Sequence, residues 1–186
     1  MAPRLSPMRR TQHVRDALQV DPVLTEAQLH RRGLSGEGFP SLRLTIRPLT
    51  RSRHEVDVLF RVRDERLFER PYLLPHAAAL AEARHQLMQG QAPTSADLWQ
   101  PDPKSRSQRP DGILLTDQGP LALEVDAGYP YRVVRQKMRS FTSYEGGIVW
   151  ATPSPLRSAR VQALYPDARV LTVDYWSSND QTINRG

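Results

Sequence analysis

Cysteine is absent from the 186-residue chain. Disulfides and thiolate metal sites are therefore excluded, and a reducing cytoplasm is the expected location. Lysine is nearly absent too, with only Lys104 and Lys137 beside the arginines. No apolar run reaches the roughly 18 to 20 residues that a membrane span needs, so no membrane partner is expected. The opening "MAPRLSPMRR" is basic but has no apolar stretch behind it, so it does not read as a secretory signal. No P-loop, dinucleotide fingerprint or Ser/His/Asp order occurs. His76, His85 and Glu82 do not form HExxH or another tight zinc spacing, and His76 reads as a helix-capping or packing residue.

What remains is a chain with 39% apolar residues and three Trp, enough for a core. The length suits one ordinary domain or two small ones. Net charge is +6, and it is unevenly spread. Residues 1–75 carry 14 Lys and Arg against 9 Asp and Glu; residues 76–186 carry 12 against 11. A basic N-terminal module joined to a near-neutral one suggests a polyanion grip beside something else.

Periodicity predicts a helix over residues 9–20, with Val14 and Leu18 on one face. "LTEAQLHRRG" follows as a short helix with a Thr25/Gln28 capping box and Gly33 at its end. Residues 39–50 fit a helix begun by Pro40, or a strand in which Leu42, Leu44 and Ile46 alternate. Residues 55–74 read as two strands joined at "RDER". This order is that of a winged helix-turn-helix. From residue 76 the pattern changes. An Ala-rich helix ending near Gly90 leads to a loop with a short strand at 97–100. Two strands joined by "DQGP" follow, then a helix over 131–145, a strand, a helix from Ser154–Pro155, and a last strand. The expected fold is α/β (α+β): residues 9–75 as the first domain, 76–176 as a mixed sheet flanked by helices, and 177–186 as a tail.

The chemistry sits in "RPDGILLTDQGPLALEVDAG" (109–128). Asp111 opens one hairpin strand and Glu124 lies near the end of the other, so antiparallel pairing places both at one end of the sheet. Asp126 is two residues on, on the same face as Glu124. Carboxylates this close raise one another's pKa unless a cation lies among them. Oxygen-only ligation suits Mg²⁺ or Mn²⁺, which can activate water and steady a leaving oxygen in phosphodiester cleavage. Lys137, on the next helix, can reach toward the acids and stabilise charge on a phosphate. Arg132, Arg135 and Arg139 share one face of that helix and suit phosphate tracking, as do Arg43, Arg47, Arg51 and Arg53 in the first module.

"LWQPDP…RPDGILL", "LALEVDAG", "VVRQKMRSFTSY" and "PHAAALAEARHQL" with His76 resemble the PD-(D/E)XK nuclease superfamily. More narrowly, over about residues 9–175, the chain resembles the replication-relaxation family of plasmid and mobile-element proteins. The resemblance implies a winged helix fused to a nuclease-like domain. It also implies metal ligation by Asp111 and Glu124, joined by Glu82 as the only acid on the first core helix. The superfamily's usual Lys, two residues after the Glu, is here Asp126; Lys137 would take its place from the helix. The expected partner is double-stranded DNA, with replication or mobile-element proteins beside it; a homodimer would suit a winged-helix binder. The leading expectation is a DNA-binding protein, with Mg-dependent endonuclease or nickase activity if the site is complete. Its alternatives are an inactive DNA-binding regulator of copy number or transcription, and a protein-interaction module.

Overall fold

A computed structural model describes residues 7–49, 53–89, 99–101 and 109–178. Helix α1 spans Pro7–Val20, strand β1 Val23–Thr25 and helix α2 Glu26–Arg31. The capping box at α2 is formed as expected: the Thr25 hydroxyl accepts from the Gln28 N–H at 3.1 Å, and Gln28 Oε1 accepts from the Thr25 N–H at 2.9 Å. Gly33, at φ +69, ends the turn after it in a conformation that side chains disfavour.

Strands β2 (Ser41–Ile46) and β3 (Val56–Val62) complete a three-stranded antiparallel sheet in the order β1–β3–β2. Leu42 stands across from Phe60 and Leu44 across from Val58, so the alternation of residues 41–46 belongs to a strand. The hairpin is therefore 41–62 and not 55–74. After β3, Asp64 accepts from the Arg66 N–H at 3.0 Å and starts a 3-10 turn at Glu65–Glu69, and Pro71 begins another at Pro71–Leu73. The order is helix–strand–helix–strand–strand, and no third helix of the expected helix-turn-helix lies between α2 and β2 among the described residues.

Helix α3 (Leu74–Leu87) is nearly all buried, which explains its run of Ala77, Ala78, Ala79, Ala81 and Ala83. Small side chains let neighbouring sheets approach the helix closely, and its buried charges Glu82 and Arg84 are paired with Arg31 and Asp21. One apolar cluster joins Val58, Phe60 and Val62 of the first sheet, Leu74 and Leu80 of α3, and Leu114, Leu123, Val125 and Val149 of a second sheet. Residues 9–75 and the rest thus share a core through α3.

The second sheet has the order β4 (Trp99–Pro101), β5 (Gly112–Thr116), β6 (Gly119–Val125), β7 (Ile148–Thr152) and β8 (Arg169–Thr172). The first three strands pair antiparallel; β6, β7 and β8 pair parallel. Helices α4 (Tyr131–Ser140) and α5 (Pro155–Leu164) bridge the parallel strands. They cover the face opposite α3, where Val134, Met138 and Val161 pack on Ala122 and Trp150. The mixed sheet flanked by helices is the expected one. Helix α4 stops five residues before the predicted 145, passing into a 3-10 turn at Phe141–Ser143. No helix among the described residues is long and apolar enough to cross a membrane.

Candidate functional site

The β5–β6 register sets Gly112 across from Leu123, which brings Asp111 beside Glu124 at one end of the sheet. Both side chains are buried, at 1% and 0% exposure. Asp111 Oδ2 accepts from the Val125 N–H at 2.8 Å and lies 3.1 Å from His76 Nε2. These contacts fix the carboxylate plane. They leave Oδ1 buried with no hydrogen-bond partner among the described residues, and such an atom costs free energy until something binds it.

Lys137 reaches the site from the buried face of α4, its Nζ 2.8 Å from Glu124 Oε1. The approach is an ion contact outside hydrogen-bond alignment. The ammonium lies 5.6 Å from the Tyr129 ring centre and 5.7 Å from that of Phe141. It also lies 3.5 Å from the Arg109 carbonyl. Aromatic faces attract a desolvated cation, so the lysine is held where only the carboxylates balance it. Burial, and next the charge of Asp111, push the Glu124 carboxyl up to about 8; Lys137 and the Tyr129 hydroxyl act the other way. Burial and then the Glu124 charge push the Tyr129 phenol well above its ordinary range.

Two of the expected residues stand elsewhere. Asp126 does share the α4–α5 side with Glu124, but its oxygens are fully engaged. Oδ1 accepts from the N–H groups of Gly128 (2.8 Å) and Tyr129 (2.7 Å). Oδ2 accepts from Trp150 Nε1 (3.1 Å) and Arg157 Nε (2.7 Å). Asp126 therefore organises the turn leading into α4, and two carboxylates meet at the site instead of three. Glu82 lies further along α3 and faces α2: its Oε2 accepts from Arg31 at 2.8 Å and from Gln28 at 3.0 Å. It is an internal ion-pair residue, not a third ligand. No group of three or more His, Asp or Glu side chains is placed to hold a metal among the described residues.

His76 and Tyr129 complete the surroundings, and neither role was legible in the sequence. His76 meets Asp111 across 35 residues of chain, and Tyr129 is set by the Asp126 turn. Only the placement of His76 on the first turn of the Ala-rich helix hinted at it.

Arg132, Arg135 and Arg139 are exposed together on α4, flanking the buried Lys137. Arg43 is exposed on β2, and Arg53 is exposed before β3. Arg47 is exposed but shared with Glu55, whose carboxylate lies 2.6 Å from its guanidinium. Arg51 lies outside the described residues.

The site's net chemistry follows from these positions. Two carboxylates share one lysine, and Asp111 keeps a buried oxygen unsatisfied. With Asp111 ionised and Glu124 protonated, Lys137 leaves this trio neutral. With both acids ionised it is one negative charge in excess, which a small hard cation would offset. Mg²⁺ needs only one or two carboxylates because it retains several waters. Asp111 Oδ1 and the Glu124 carboxylate fit that role. Comparison with family models, curated proteins and solved structures gave no match.

Proposed function

We propose that this is a DNA-binding protein of the replication-relaxation type, with a Mg²⁺- or Mn²⁺-dependent phosphodiester-cleaving centre at Asp111, Glu124 and Lys137. The observation that carries the reading is the opposed, buried Asp111–Glu124 pair with a single lysine supplied from α4. It supports the order implied by the PD-(D/E)XK resemblance, with the lysine moved from the strand to the helix. When bound, the cation would activate water and neutralise charge on the leaving oxygen. Asp111 and Glu124 would hold it, and the Val125 N–H with His76 would fix the Asp111 carboxylate. Lys137, freed from Glu124, would donate to a non-bridging phosphate oxygen. The sheet of β1, β2 and β3, with α1 and α2, would serve as a shortened winged-helix module.

The arginines of α4 supply a direct check on DNA binding. Each phosphate contact contributes about 0.9 to the slope of log affinity against log salt. Replacing Arg132, Arg135 and Arg139 by Ala should lower that slope by about 2 to 3 in fluorescence anisotropy of a labelled duplex between 50 and 200 mM salt. An unchanged slope would remove α4 from the interface.

A second reading has its own observation: Lys137 already balances Glu124, and the position of the usual motif lysine is filled by Asp126, which is consumed in structural bonds. On this reading the protein is an inactive DNA-binding regulator. DNA affinity would then be indifferent to Mg²⁺, and no substrate would yield product.

A further inference from the structure

On the α3 side of the second sheet lies a cleft of about 270 Å³ at the C-terminal ends of β6 and β7, the end of a parallel sheet where ligands commonly bind. Its floor is apolar, made by Ala79, Val125 and Pro153. Arg47, whose guanidinium also pairs with Glu55 at 2.6 Å, lines one wall from the loop after β2, and Tyr72 another from the turn before α3. His76 belongs to both places: it lines the cleft, and its Nε2 lies 3.1 Å from Asp111. Tyr72 is 71% exposed, so most of its ring is open to a ligand in the cleft. The prolines at 71 and 75 on either side stiffen the turn that carries it.

We propose that this cleft seats one unpaired nucleotide, its base stacked on Tyr72 and its phosphate toward Arg47. The inference rests on the nucleic-acid reading above and narrows its substrate to DNA with a single-stranded segment. An aromatic face beside a cation on a concave apolar floor is the usual grip on unpaired bases, and it tolerates any sequence. A base held inside a cleft must first leave its stack, which costs least where the strand is already unpaired. His76 and Val125 line the cleft and also contact Asp111, which places the occupant near that carboxylate, whereas Glu124 and Lys137 stand on the α4 side of the sheet.

The test uses the full chain with fluorescein-labelled DNA: oligodeoxythymidylate, a duplex with a thymidine overhang, and the same duplex with blunt ends. Wild type should bind the two substrates with unpaired ends more tightly than the blunt one. Tyr72→Ala should weaken binding to the unpaired substrates about tenfold and leave blunt-duplex affinity within about twofold. Because Tyr72 is exposed, its melting temperature should not move. Equal affinity of wild type for overhang and blunt duplex, or no loss in Tyr72→Ala, would overturn the cleft assignment and leave DNA binding standing. Absence of binding to all three by wild type would overturn both.

Discussion

In divalent-free buffer, wild-type protein is expected to lose stability as pH rises from about 5 to 9, and Glu124→Gln to lose far less. The Glu124 carboxyl is raised from 4.5 to about 8 in the folded chain. Between those values the folded state binds the proton that the unfolded state has released, so stability falls as pH rises. The contribution is fully present below about 4.5 and is lost as pH passes through about 8. At about 1.4 kcal/mol per pH unit the full effect is on the order of 5 kcal/mol, large against a typical stability of about 5 to 15 kcal/mol. Glutamine keeps the shape and removes the titration. Urea unfolding of both proteins at several pH values measures the difference directly. Parallel pH profiles would mean that Glu124 is not held in a hostile environment, and the charge argument for a cation would fall with it.

Cleavage should be the more sensitive readout. Asp111→Ala and Glu124→Gln are each expected to reduce metal-dependent cleavage at least about a hundredfold, since the cation's Lewis-acid effect is worth several kcal/mol and about 1.4 kcal/mol is tenfold in rate. DNA affinity should stay within about twofold, because on the proposed reading the exposed arginines, and not the buried acids, would supply the phosphate contacts. Product formation and anisotropy on the same overhang substrate separate the two. Cleavage at wild-type rate in either variant would remove the carboxylates from the chemistry.

The parts legible from sequence were those with local causes. The Thr25 capping box, the "DQGP" hairpin, the Ser154–Pro155 helix start and the succession of helices and strands after residue 76 all followed from short-range chemistry. The meeting of Asp111 with Glu124 followed as well, because a tight hairpin fixes its own register. What failed depended on distant partners. Residues 55–74 read as their own hairpin because the partner of β3, residues 41–46, fits a helix as well as a strand until the pairing decides it. Asp126 resembles a third ligand until Arg157, 31 residues on, and Trp150, 24 residues on, take its oxygens. Glu82 was displaced by Arg31, which comes from the other end of the core. His76 entered for the same reason: a helix start and a strand start, far apart in sequence, converge on one carboxylate.

The central claim is that Asp111 and Glu124 form a seat for a hard divalent cation. Calorimetric titration of Mg²⁺ and Mn²⁺ into wild type and Glu124→Gln tests it most directly. Because the cation must displace the Glu124 proton, binding should be saturable, release close to one proton per ion below about pH 8, tighten as pH rises toward that value, and vanish in the variant. Binding of equal affinity in the two proteins, or no binding by wild type with or without an overhang DNA present, would contradict the claim and leave the inactive DNA-binding regulator as the reading.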